Sequence, residues 1–186
     1  MSERDSATVA PAMEAAGTES AVGADRTLTK RGERLGGFIY GTIVTLSVVV
    51  AGARAFAHEP GHIAVLAFVT TLVLWLAHVY AHALGHAVGH QSHLSFGAVR
   101  TIARRELSIV EASLPSIGAL LLGAIGLLGT HAAVWLAIGL GFGVLGAQGI
   151  AFARIERLDW RGTVVVFALN LGLGFFILAL KLAVTH

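Results

Sequence analysis

Four histidines, His78, His82, His86 and His90, stand at every fourth position of WLAHVYAHALGHAVGH, and His93 follows three residues later. Four helical residues advance by about 400°, so the ladder drifts by about 40° per step and its imidazoles fan over one sector. Three chemistries are open to such an array. As interfacial residues, neutral imidazoles reach lipid headgroups or donate to a carbonyl on a close helix. As ligands, His78 and His82 on adjacent turns join Glu111, with His86 as a further donor, to hold a divalent metal such as zinc, iron or manganese. Two or three ligands with an open position suit a transport or catalytic site rather than a closed structural one. As a proton relay or sensor, the imidazoles titrate near neutrality with Glu111 as partner. Glu111 also admits a simpler role, a first-turn carboxylate favouring a helix N-terminus and pairing with Arg104, Arg105 or a histidine.

A second ladder, Ala77, Ala81, Gly85 and Gly89, runs beside the first, offset by about 100°. Its small side chains let another helix press close, which would hold the imidazoles at that interface rather than in lipid.

The elements that must position these groups are membrane spans. The chain has 186 residues, 55% hydrophobic and 13% charged, with a mean hydropathy of +0.77. Its apolar residues fall in five runs, at about 35–57, 62–84, 107–128, 132–152 and 163–184. Each reaches roughly 33 Å, enough to cross the hydrocarbon core. The expected fold is an all-α polytopic transmembrane bundle of five helices over residues 34–186. Residues 1–33 lack aromatics and periodicity and are expected to form a disordered cytoplasmic tail. With no cysteine there is no disulfide and no thiolate nucleophile.

Positive charge orients the path. Arg4, Arg26, Lys30, Arg31 and Arg34 precede the first run, Arg100, Arg104 and Arg105 lie in the second joint, and Arg154, Arg157 and Arg161 in the fourth. Five alternating spans put these groups on one side, so the N-terminus is expected inside, the C-terminus outside, and the protein multi-pass in the plasma membrane. Arg54 and Lys181 fall near the outer ends, where they snorkel. A cleaved signal peptide is the competing reading of the first run, because a basic lead precedes it and Ala55-Phe56-Ala57 resembles a cleavage site. The run is long for that role, and an uncleaved anchor is favoured.

Depth then sorts the polar residues. His78 and His82 fall in the inner half of the second span, and His86, His90 and His93 at or beyond the inner surface. Glu111, Gln148, Asn170, Tyr40, Thr42 and Thr45 occupy the inner half of the other spans, leaving the outer half nearly bare. This asymmetry argues against a complete ion path through one protomer and favours a pocket opening inward. In the second joint, a surface helix is expected to turn Phe96, Val99, Ala103 and Leu107 toward lipid and its arginines toward headgroups.

Other patterns carry less. HEPGH, His58 to His62, matches the HExxH of zinc proteases, but Pro60 and Gly61 interrupt the helix that motif requires. GFGVLG matches a dinucleotide fingerprint but lies inside an apolar helix and serves packing. Gly37 with Gly41, Gly85 with Gly89, and Gly139 with Gly143 form GxxxG pairs suited to close helix approach. The outer histidines His58, His62, His131 and His186, with Glu59, sit on separate joints and read as solvated. A bis-histidine haem would need a second histidine-bearing span.

The segments FIYGTIVTLSVVV, WLAHVYAHALG, EASLPSIGALLLG and ALNLGLGFFILALKL together resemble small polytopic integral membrane proteins of actinobacteria, over about residues 35–184. That resemblance implies the topology and no activity. The sequence therefore predicts a structural or accessory membrane component with no catalytic residues and no cofactor beyond the divalent metal. Its expected partners are the lipid bilayer and a second copy or larger membrane complex engaged through GxxxG faces, with no nucleic acid. The alternative is a transporter or sensor of divalent metal or protons using an inward-facing site of His78, His82 and Glu111, with Gln148 and Asn170 in support.

Overall fold

In the computed structural model, which describes residues 32, 34–90 and 95–184, every regular element is a helix. The expected tail over 1–33 and the positions of His93 and His186 lie outside the described residues, apart from Gly32. The helices are α1 (Arg34–Ala55), α2 (Pro60–His90), α3 (Phe96–Glu106), α4 (Ser108–Glu111), α5 (Leu114–Ala124), α6 (Thr130–Ile155) and α7 (Trp160–Val184). Helices α1, α2, α6 and α7 are long and apolar enough to cross a bilayer, and the α3–α4 segment with α5 adds a fifth crossing if the bent pair is one span.

That bent pair lies where a third span is expected over 107–128. The two segments differ in direction by 52°. Pro115, in the first turn of α5, has no N–H, and its ring excludes the carbonyl of Glu111, so one continuous helix cannot pass through it. The chain turns at Ala112 and Ser113 instead. The far end also stops early, at Ala124. Gly126 adopts φ +80°, while its N–H donates to the Gly123 carbonyl at 3.1 Å and that of Leu127 to Leu122 at 3.0 Å. These bonds form a Schellman closure, which needs a left-handed residue where only glycine is unstrained.

Pro60 and Asp159 set two starts. Proline at the first position of α2 has no N–H to leave unsatisfied there. The Asp159 carboxylate accepts from the Gly162 N–H at 2.8 Å, capping α7. Helix α2 has 31 residues and so spans about 46 Å, against roughly 30 Å of hydrocarbon. Its last turns, with His86 and His90, extend past the expected end of that span.

Small residues bring the helices together. A Cβ on Gly37 would strike the Ser108 hydroxyl, and one on Gly41 the backbone carbonyl of Ile109, so the first GxxxG pair seats α1 against α4. Gly52 faces Ile63, Gly141 faces Leu46, and Gly146 faces Phe167. Val49, Ile63, Ala67, Leu120 and Ala137 form the core between them. Buried hydroxyls are satisfied locally: Thr42 donates to the Phe38 carbonyl, Thr45 to Gly41, and Ser116 across to Ala137 on α6, each at 2.8 Å. Thr42 and Thr45 thus bond back to carbonyls of their own helix.

Two small-residue faces are left open within the described residues. Ala77, Ala81 and Gly85 are exposed, and among the described residues no neighbouring atom lies within 4 Å of where a Gly85 Cβ would stand. Gly139 and Gly143 are likewise open, because α6 turns Gly141, Gly146 and Gly149 inward instead.

Candidate functional site

The histidine ladder lies where α2 leaves the bundle and α3 folds back against it. Ser95 starts α3, its hydroxyl accepting from the Ala98 N–H at 3.2 Å. Trp75 on α2 then donates its indole N–H to the Ala103 carbonyl at 3.0 Å. This bond fixes α3 along α2 and brings Glu106 to the ladder.

Nδ1 of His78 lies 3.0 Å from the Leu74 carbonyl, and Nδ1 of His82 lies 3.0 Å from the His78 carbonyl. A carbonyl only accepts, so both rings carry a proton on Nδ1 and leave Nε2 as the basic atom. The rings of His78 and His82 are 6.3 Å apart, and Tyr40 of α1 lies 5.3 Å from His78 between centroids.

Glu106 is the carboxylate that meets the ladder. Its Oε1 is 3.7 Å from His82 Nδ1 and 4.0 Å from Arg105 Nε. The residue is only 9% exposed, and Arg105 and His82 are the polar groups beside its carboxylate. His82, His86, Ile102, Arg105 and Glu106 enclose a small cavity of about 130 Å³.

The expected ligand set is assembled only in part. His78 and His82 are neighbours, and His86 joins His82 at the cavity. Among the described residues no group of three histidine, aspartate or glutamate side chains is placed to hold a metal ion.

Glu106 went unread in the sequence, although a signal was present. It follows Val99 and Ala103 at spacings of four and three, a lone acid on the apolar face of an amphipathic helix. That face was expected in lipid. Phe96 and Leu107 are indeed exposed, but Val99 and Ala103 are half-buried. Elsewhere, Gln148 and Asn170 are half-buried, and a Cβ on Gly149 would come within 3.0 Å of Asn170 Nδ2, so that glycine makes room for the amide between α6 and α7.

At the opposite end, His58 sits in the turn before α2 and His62 inside it, so HEPGH does not present both on one helical face. His62 instead pairs with Glu59 and stacks on Phe56 at 5.6 Å.

No protein-family model, curated protein or solved structure matches this chain.

Proposed function

We propose that this is a multi-pass integral protein of the plasma membrane, N-terminus inside, acting as a structural or accessory component that presents small-residue helix faces to a second copy or a larger membrane partner. The open Gly139 and Gly143 pair on α6 carries this reading: among the described residues no neighbouring atom lies within 4 Å of a Cβ placed at either position, so a further helix can approach the backbone closely there. The exposed Ala77, Ala81 and Gly85 face supports it. Helix α3 supplies the bilayer contact, with Arg100 and Arg104 exposed and each surface cation gaining about 1 kcal/mol from anionic lipid. The resemblance to small actinobacterial membrane proteins agrees with this topology.

The test is oligomeric state in detergent and in nanodiscs, by sedimentation and cross-linking. A defined oligomer that falls to monomer in a Gly139→Leu, Gly143→Leu double variant, but not in Gly118→Leu, supports the proposal. A wild-type chain that stays monomeric in bilayers and recovers no partner on cross-linking in cells overturns it.

The 3.7 Å approach of His82 and Glu106 favours a second reading, a sensor or transporter of protons or a divalent metal at the inner surface. Calorimetric titration with zinc, manganese and iron(II) tests the metal form. Saturable binding lost in a His78→Ala, His82→Ala double variant supports it, and binding that survives the change does not. Proton flux into liposomes, compared with Glu106→Gln, tests the other form.

A further inference from the structure

Away from the histidine ladder, α1 and α6 separate to leave a groove. They touch at Leu46 and Gly141, where a Cβ on the glycine would stand 2.5 Å from the leucine Cδ2. Beyond that crossing, toward the end of α1 and the start of α6, lies a half-open cavity of about 560 Å³. This falls within the roughly 300–1,000 Å³ of ligand sites, which recur between helices of bundles. Its walls include Val50 and Ala53 of α1 with Val134 and Ile138 of α6, while Arg54, His58 and His131 stand at its outer end.

The groove is closed at one end by the Leu46 and Gly141 crossing, so it suits a flexible chain rather than a whole helix. Its open end carries donors. Among the described residues no carboxylate pairs with Arg54. Trp135 donates its indole N–H to His131 Nε2 at 3.2 Å, which leaves His131 its Nδ1–H to give. Trp135 is 61% exposed, and an exposed tryptophan at a span's end marks the headgroup level.

We propose that this groove is a binding site for an anionic phospholipid of the bilayer, one acyl chain lying between α1 and α6 and the phosphate held by Arg54 with His58 and His131. Snorkelling alone would leave Arg54 among headgroups of any kind; the groove gives it one lipid.

The test uses Trp135 as reporter in a Trp75→Phe, Trp160→Phe background, reconstituted in phosphatidylcholine vesicles with a minor share of acyl-brominated phosphatidylglycerol or acyl-brominated phosphatidylcholine. The anionic lipid is expected to quench with about fivefold higher apparent affinity, the effect of one surface cation. Arg54→Gln removes the preference and Arg54→Lys keeps it. Ala53→Phe, which fills the groove, lowers quenching by both lipids without changing helicity. Equal quenching by both lipids, or a preference unchanged in Arg54→Gln, overturns the proposal. Cross-linking of Ile138→Cys between copies at full yield does so too, by giving the groove to a second chain.

Discussion

Trp75 and Ala103 are joined by one hydrogen bond, indole N–H to carbonyl at 3.0 Å, and through it α3 is fixed to α2 beside His82 and Glu106. Trp75→Phe removes that bond at a cost of about 1 kcal/mol. Glu106→Gln, which keeps shape and removes charge, costs less than about 1 kcal/mol, because His82 is half-exposed and solvent screens the pair. Hydrogen exchange of the α3 amides is the measurement: protection falls in each variant and further in the double, while α6 is unchanged. Unaltered exchange in the double variant would show that α3 is held by other contacts.

Gly41 and Gly118 form a matched pair of positions. Gly41→Ala forces a methyl onto the Ile109 carbonyl and should destabilise by about 1–3 kcal/mol. Gly118→Ala enters open space and, by helix propensity, should be neutral or stabilising by up to about 1 kcal/mol. Thermal unfolding in detergent compares them.

Arg157 ends α6 with φ 52°, its N–H donating to the Arg154 carbonyl at 3.3 Å and that of Leu158 to Ala153 at 2.9 Å. This is the closure seen at Gly126, with a side chain where glycine belongs. Arg157→Gly should therefore raise stability by about 1 kcal/mol, and Gly126→Ala should lower it by a similar amount. A Tm that falls in Arg157→Gly would mean that the lost charge outweighs the relieved backbone.

The chain has no cysteine, so single cysteines report sidedness. On intact cells an impermeant maleimide should label Gly129→Cys, between α5 and α6, and spare Ser95→Cys at the start of α3. The reverse pattern would invert the proposed orientation.

Four helices long and apolar enough to cross a bilayer are legible in the sequence because length and hydropathy act over twenty residues and tolerate small errors at each end. The observed α6, Thr130–Ile155, differs from the expected 132–152 by only a few residues. The bend in the third apolar run is not legible because apolarity alone does not register one proline: Pro115 bends the path while the surrounding residues stay oily. The site divided in the same way. His78 and His82 were found from spacing within one helix, whereas Glu106 reaches them only because α3 turns back on α2, and no local pattern encodes a return angle. The same limit explains the glycines. Gly37 and Gly41 face inward as their spacing suggested, but Gly139 and Gly143 do not, since which side of α6 meets its neighbours depends on all of them together.

Helix α7 rests on α6 through Phe167 against Gly146 and Gly149 and through Gly174 against Leu145, yet only 6% of its most apolar window is buried. Of the described helices it leaves the ribosome after all the others. By then the contacts of Leu46, Ile63, Leu120 and Ala137 can already be in place, so it docks onto an interior already packed. Chains interrupted before Trp160 should keep that interior and lose only one outer plank.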